Sequence, residues 1–177
     1  RSPPFSLESS LQQFAAFGAF CNMPNLETLT VLGGRIPSGA FSENTNLRHV
    51  TVRSGKIGNN AFEGCTSLET VNLCEGVVSI GDDAFKDCTS LTRLVIPDSV
   101  THLGDEFLNG CINLTYLKVG GGIPVIENQK NEYYPFFIGE GSKLNTLILG
   151  EGIESLGYAL FQNCREYPFG ALNDEYY

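Results

Sequence analysis

Apolar side chains recur along this chain in the same order and at a nearly constant interval. Each of six complete units opens on a large apolar residue, and a Leu follows six residues later. The opening residues, with that of a seventh and incomplete unit, are Phe20, Phe41, Phe62, Phe85, Leu108, Ile138 and Phe161. Successive opening residues are 21, 21, 23, 23, 30 and 23 positions apart. Self-similarity at such a period predicts a solenoid, in which each unit forms one turn of a stack.

Within each unit, the pattern predicts a strand followed by turns. The Leu-x-x-Leu-x-Leu segment alternates apolar and polar residues in its second half, as a half-buried β-strand does. Two further apolar positions follow, and in four units a glycine comes next, at which we expect the backbone to turn. Asp82 or Asp83, and Asp105, then precede pairs of the Ala-Phe type. These carboxylates predict the N-cap of a short helical turn that points its Phe inward.

We expect one repeat domain over residues 1–177, with repeats at 19–167 and a C-terminal tail at 168–177. Residues 1–18 have the spacing of a partial repeat; either they act as a crude cap, or the array continues upstream, which we favour. The interval from Ile126 to Ile138 is 12 residues, against 5 from Ile80 to Phe85. The additional residues lie within 127–135 and include Tyr133 and Tyr134. They form either a binding loop or a tolerated solvated bulge.

One known family has this repeat. The run from Ile80 to Val100, IGDDAFKDCTSLTRLVIPDSV, closely resembles the BspA-like (treponemal-type) leucine-rich repeat. The first two units depart from it, since Met23 and Asn44 stand where the repeat has Cys. The resemblance implies an α/β-type leucine-rich-repeat solenoid of about six repeats, with a parallel β-sheet on its concave side and short strands, turns and helical turns on its convex side. It also implies a secreted or surface-displayed protein, and for several such proteins a role in adhesion.

Charge narrows the choice of partners. The formal net charge of −9 argues against nucleic acid, whose phosphates require a basic surface, and against an anionic membrane surface. No apolar run approaches the ~18 residues of a membrane-spanning helix. We therefore expect neither nucleic-acid binding nor membrane insertion of this segment.

Cysteine and histidine do not point to catalysis. Cys65, Cys88, Cys111 and Cys164 share one repeat position, which predicts a ladder of reduced, buried thiols, with a disulfide or a zinc site as the alternatives. Cys74 follows a strand and is expected to be an inert outward thiol. His49 and His102 fall on different faces of the solenoid and so cannot form a nucleophile–base pair. We expect no catalytic residues, no metal site and no cofactor.

What remains is the exposed face of the strands. An inner row of residues next to the central apolar position comprises Thr28, His49, Thr70, Arg93, Tyr116 and Thr146. An outer row comprises Thr30, Thr51, Asn72, Val95, Lys118 and Ile148. Arg93, Tyr116 and Lys118 fall on adjacent strands and are of types enriched in, or suited to, binding interfaces. The sequence therefore favours a non-enzymatic module that binds a protein or glycan through its concave sheet; the alternative is a structural spacer with no ligand of its own.

Overall fold

The computed structural model describes residues 17–126 and 142–156, together with the backbone of residues 5–7. In this part of the chain all regular structure is short parallel strand. The strands are β1 (Phe5–Leu7), β2 (Thr28–Val31), β3 (Arg35–Ile36), β4 (His49–Val52), β5 (Gly55–Ile57), β6 (Thr70–Leu73), β7 (Val77–Ile80), β8 (Arg93–Ile96), β9 (His102–Leu103), β10 (Tyr116–Val119), β11 (Val125–Ile126), β12 (Thr146–Leu149) and β13 (Ser155–Leu156).

Two rows of parallel strands run along the solenoid. The first row has the order β1-β2-β4-β6 and then β8-β10-β12, and corresponds to the sheet predicted on the concave side. We call it the concave sheet. The second row has the order β3-β5-β7-β9 and then β11-β13, and we call it the lateral sheet. The strands pair position for position, for example Leu29 with Val50 and Tyr116 with Arg93. The register inferred from the repeat spacing is therefore confirmed for these strands.

Both rows are interrupted, and the interruptions are offset by one repeat. No ladder joins β6 to β8 in the concave sheet, although β7 and β9 pair beside them in the lateral sheet. Conversely, no ladder joins β9 to β11, although β8 and β10 pair beside them. One sheet therefore remains continuous at each of these two repeat junctions. The gap between β6 and β8 falls where the repeat lengthens from 21 to 23 residues.

The predicted helical turns on the convex side are wrong, because none of the described residues belongs to a helix. The backbone is left-handed two residues before and two residues after the first apolar position of each of the first five units. The residues two before are Gly18, Gly39, Asn60, Asp83 and Glu106, with φ between 51° and 68°, and those two after are Asn22, Glu43, Gly64, Asp87 and Gly110, with φ between 52° and 78°. Two left-handed residues so close together interrupt the right-handed dihedral angles that a helix requires.

The turn backbone satisfies its N–H groups in two alternating ways. The N–H of Ala40 bonds within its own turn, to the carbonyl of Pro37 at 3.2 Å. The next N–H, of Phe41, donates instead to Ala61 of the following repeat at 2.9 Å. The same alternation recurs along the stack, so a ladder of inter-repeat bonds replaces the helix.

The predicted N-caps are wrong for the same reason. Asp82 Oδ1 accepts the backbone N–H of Asp105, one repeat later, at 2.9 Å. Asn59 Oδ1 accepts the N–H of Asp82 at 3.2 Å in the same manner. These side chains therefore join neighbouring repeats; they do not cap a helix of their own.

The core is a stack of equivalent side chains. The rings of Phe20, Phe41, Phe62 and Phe85 stack with centroid separations of 5.3, 5.7 and 5.3 Å and interplanar angles of 14°, 11° and 7°. In the next unit Phe107 and Leu108 replace the Ala-Phe pair, and both are fully buried. Aromatic pairs of this kind contribute about 0.5–1.5 kcal/mol beyond their burial, so the stack stabilises the repeat junctions.

The predicted thiol ladder is present for the three described cysteines, while Cys164 lies outside the described residues. Cys65, Cys88 and Cys111 are free and buried. Their thiols bond the carbonyl oxygens of Phe41, Phe62 and Phe85 at 3.3, 3.3 and 3.1 Å. Burial raises the pKa of Cys65 and of Cys111 to about 12, and raises the pKa of Cys88 well above its usual value. The thiols are therefore neutral hydrogen-bond donors.

Candidate binding surface

The strands of the concave sheet carry no carboxylate although the protein is acidic overall, a feature that the lateral strands share. The chain contains 20 Asp and Glu residues, yet none of them lies in β2, β4, β6, β8, β10 or β12. The inner and outer rows predicted from the sequence lie on these strands, and their side chains are exposed or half-buried. The ionised side chains among them are Arg93 and Lys118. An acidic protein thus presents a sheet face without carboxylates, which favours a neutral or anionic partner.

Arg93 and Tyr116 form the best-defined feature of this face. They pair directly across β8 and β10. The guanidinium carbon of Arg93 lies 3.5 Å from the centroid of the Tyr116 ring. The ion pairs found in the described chain are Arg48–Glu69, Lys86–Glu63 and Lys86–Asp83, so Arg93 has none there. Stacking holds the guanidinium plane in place and leaves its N–H edges free to bind a carboxylate or a similar anion.

Lys118 lies on the same strand as Tyr116, but its surroundings differ. It lines a groove of about 590 Å³ at the ends of β10 and β12, together with Asp98, Ile148, Glu151 and neighbouring glycines. Asp98 Oδ1 accepts the N–H of Gly121 at 2.9 Å, which fixes one wall of the groove. Because two carboxylates share the groove with Lys118, this end of the face has no excess of positive charge. The predicted trio of anchors therefore divides into the Arg93–Tyr116 pair and a separate lysine.

The N-terminal half of the face is more fully paired. His49 Nδ1 lies 2.7 Å from Thr70 Oγ1 on the neighbouring strand. At the edge of the sheet, Arg48 and Glu69 form an exposed ion pair of 3.0 Å. Arg48 also borders a polar groove of about 520 Å³ with Glu27, Asn46, Pro24 and Asn25. His49 and Arg48 already have partners within the protein, so Arg93 is the better candidate anchor.

The gap between β6 and β8 lies directly beside Arg93. At the other concave junctions from β2 to β12, the carbonyl just before one strand accepts two N–H groups from the start of the next; Thr115 and Tyr116, for example, both donate to Thr92 at 2.9 and 3.2 Å. At the gap the corresponding bonds from Thr92 and Arg93 to Glu69 are missing. Val71, on the floor of the gap, is half-buried, whereas Val50 and Leu94 at the same position are buried. The repeat pattern in the sequence did not predict this gap. The one feature of the sequence that marks its position is the change in repeat length from 21 to 23 residues.

The comparisons with known proteins now identify the repeat. Six copies of the BspA type leucine rich repeat region match residues 34–168. The chain belongs to this leucine-rich repeat family. Among solved structures, it is similar to a leucine rich repeat protein of T. pallidum, with 24% identity and a TM-score of 0.64, over 94% of this chain and 73% of that one. A leucine-rich repeat protein from Bacteroides ovatus is 21% identical, with a TM-score of 0.59, over 86% of this chain and 43% of that one. No curated protein matches the sequence.

The two histidines of this BspA-type solenoid do not lie on the same sheet. His49 lies on β4 of the concave sheet and His102 on β9 of the lateral sheet, both exposed. No group of three or more His, Cys, Asp or Glu side chains in that part of the chain is placed to hold a metal ion. Cys74 is half-buried, and no described helix is long and apolar enough to span a membrane. The predicted contact residues Tyr133 and Tyr134 lie outside the described residues.

Proposed function

We propose that this chain is a non-enzymatic recognition module of a secreted or surface-displayed protein. Its concave sheet binds a protein or glycan partner, in an adhesion-type interaction. The observation that carries the proposal is the Arg93–Tyr116 pair, stacked at 3.5 Å on a sheet whose strands contain no carboxylate. Thr28, His49, Thr70, Lys118 and Thr146 complete the proposed contact surface. Tyr133 and Tyr134 add a contact loop if the insertion faces the same partner.

The proposal rests on how binding energy is distributed among the residues of a protein interface. A few aromatic and Arg residues typically carry most of the binding energy, and the surrounding polar contacts contribute mainly complementarity. The concave strands provide one such pair, and in the inner row it lies between Thr70 and Thr146. Partner affinity is therefore concentrated at Arg93 and Tyr116.

The experiment is a binding screen of the purified domain on arrays of extracellular-matrix proteins and of glycans. The double variant Arg93→Glu with Tyr116→Ala should abolish the signal of any partner found. Arg35→Glu, an equal charge reversal on the exposed side of the lateral sheet, should leave that signal intact. Binding that survives the double variant undiminished would exclude the concave surface.

A structural spacer is the second candidate. The backbone ladders that join each repeat to the next, on the strands and in the turns, suit a rod that holds a neighbouring domain at a distance. A wild-type domain that binds nothing on either array would favour this role.

A further inference from the structure

We propose that the gap between β6 and β8 and the adjacent Arg93–Tyr116 pair form a carboxylate-binding subsite, and that its ligand is an acidic segment of a protein partner. This inference rests on the proposed function and narrows it to one class of partner. It depends on three observations: the unpaired backbone at the gap, the free edges of the Arg93 guanidinium, and the absence of carboxylates from the concave strands.

The gap supplies hydrogen-bonding groups of both kinds. The N–H groups of Thr92 and Arg93 and the carbonyl of Glu69 lack the ladder bonds made by their equivalents at neighbouring junctions. Open backbone donors and acceptors at a sheet surface are costly unless water or a ligand satisfies them. β6 and β8 remain too close for another segment to lie between them. Glu69, Thr92 and Arg93 are exposed, so a partner segment that lies on the face can bond them through the one donor and one acceptor of each peptide unit.

Arg93 supplies the charge. Its guanidinium carbon lies 3.5 Å from the centroid of the Tyr116 ring, and Arg93 has no ion-pair partner in the described chain. Such a fixed, planar group presents parallel N–H bonds that match the two oxygens of a carboxylate. The strands on either side of the gap, β6 and β8, contain no Asp or Glu, and the nearby Glu69 carboxylate is already paired with Arg48 at 3.0 Å.

A charged glycan fits the same site less well. Sugar rings pack on exposed aromatic faces, and Tyr116 is the one Phe, Tyr or Trp in β2, β4, β6, β8, β10 and β12. Arg93 already covers a face of that ring. The concave strands therefore lack a second aromatic platform for a pyranose, whereas an Asp or Glu side chain requires only the guanidinium. The observations favour an acidic polypeptide.

The test measures fluorescence anisotropy of a fluorescein-labelled oligoglutamate peptide titrated with the purified domain. An oligoglutamine peptide serves as the uncharged control, and a heparin-derived oligosaccharide as the sulfated alternative. The domain has a net charge of −9 and repels oligoglutamate overall, so binding requires a local site. We expect binding that weakens with salt, that Arg93→Gln reduces roughly tenfold, and that Arg35→Gln leaves unchanged. Arg93→Lys should restore it only in part, because an ammonium lacks the planar fork.

A second readout locates the peptide. In ¹H–¹⁵N correlation spectra, oligoglutamate should shift the backbone amide signals of Thr92 and Arg93 more than the signal of Lys56 on the lateral sheet. Binding that does not depend on Arg93, or that depends equally on Arg35, would overturn the inference. So would capture of the heparin oligosaccharide, but not of oligoglutamate, at Arg93.

A negative result with oligoglutamate does not by itself exclude the proposed function. If oligoglutamate does not bind, but the Arg93→Glu and Tyr116→Ala double variant still abolishes binding on the arrays, the acidic ligand is wrong and the concave surface stands. If the double variant has no effect on any array partner either, both are wrong.

Discussion

The side-chain amide of Asn44 donates a hydrogen bond to the carbonyl oxygen of Phe20 at 2.8 Å, and this is the bond that a cysteine thiol makes in the following units. Cys65, for example, bonds Phe41 at 3.3 Å. Asn44 does more than the thiol, because it also donates to Phe41 at 2.8 Å and accepts the N–H of Met23 at 2.7 Å. In the unit that lacks the Cys, Asn44 therefore makes the same hydrogen bond to the preceding repeat that a Cys makes elsewhere.

We expect Asn44→Ala to lower the free energy of unfolding by about 2–4 kcal/mol, because it removes three hydrogen bonds, one to the buried carbonyl of Phe41 and two to the half-buried Phe20 and Met23. Asn44→Cys should lose less, since a thiol can still bond Phe20. The measurement is urea unfolding followed by circular dichroism. Asn46→Ala is the matched control: its side chain donates to Pro24 at 2.6 Å, but in an exposed position. Equal losses in Asn44→Ala and Asn46→Ala would contradict this account.

The spacing of apolar residues was sufficient to predict the solenoid, the strand register and the exposed rows. Strand pairing follows repeat position, so alignment of Leu94 with Leu117 in the sequence also places them side by side in the sheet. The Arg93–Tyr116 contact was predictable to the level of neighbouring strands, but the stacking itself depends on rotamers that the repeat does not encode.

The convex turns were not predictable by the same rules. An Asp before an Ala-Phe pair is typical of a helix N-cap, yet Asp83 adopts φ 51° and Asp82 bonds the following repeat. Local propensity favoured a helical turn, whereas the stack favoured inter-repeat hydrogen bonds, and the stack prevailed because every repeat contributes to it. The gap between β6 and β8 is likewise a property of two repeats together.

The left-handed turn positions should be sensitive to the shape of the side chain at the backbone. Asp87 is exposed and has φ 57°, so its substitution tests the backbone rather than packing. We expect Asp87→Val to cost about 1–2 kcal/mol of unfolding free energy, because a β-branched residue is strained in this region. Asp87→Gly should be neutral or stabilising by up to about 1 kcal/mol. Thermal unfolding measures both, and Thr92→Val, at an exposed position outside the left-handed region, should change stability little.

Phe62 occupies the interior of the aromatic stack, between Phe41 at 5.7 Å and Phe85 at 5.3 Å. Phe62→Ala should destabilise the domain by about 3–5 kcal/mol, because it opens a cavity and removes two ring contacts. Phe62→Leu should cost less, as a Leu fills the equivalent position in the unit of Leu108. Phe17→Ala provides the control in the same denaturation assay, since the Phe17 side chain is 76% exposed. A loss at Phe17 comparable to that at Phe62 would contradict the role of the stack.

The buried thiols should make the domain less stable at alkaline pH. Burial raises the pKa of Cys111 from 9.0 to about 12, and it also raises the pKa values of Cys65 and Cys88. As pH rises, the unfolded chain loses these thiol protons at a lower pH than the folded domain does. The contribution of the neutral thiols to the free energy of unfolding is therefore fully present below about pH 9 and is lost as pH rises towards 12. Each such thiol contributes a slope of roughly 1 kcal/mol per pH unit in that window.

Urea unfolding at a series of pH values from about 8 to about 10.5 measures this slope. Lysine and tyrosine side chains also titrate there, so the informative quantity is the difference between variants. Cys111→Ala should have a shallower slope than the wild-type domain, because one raised pKa has been removed; Cys74→Ala, which leaves the three buried thiols in place, serves as the comparison. In the folded protein iodoacetamide should modify the exposed Cys21 in preference to Cys65, Cys88 and Cys111, which become reactive only on unfolding. An unchanged slope in Cys111→Ala, or rapid labelling of the ladder in the folded state, would show that these thiols are not held neutral in the core.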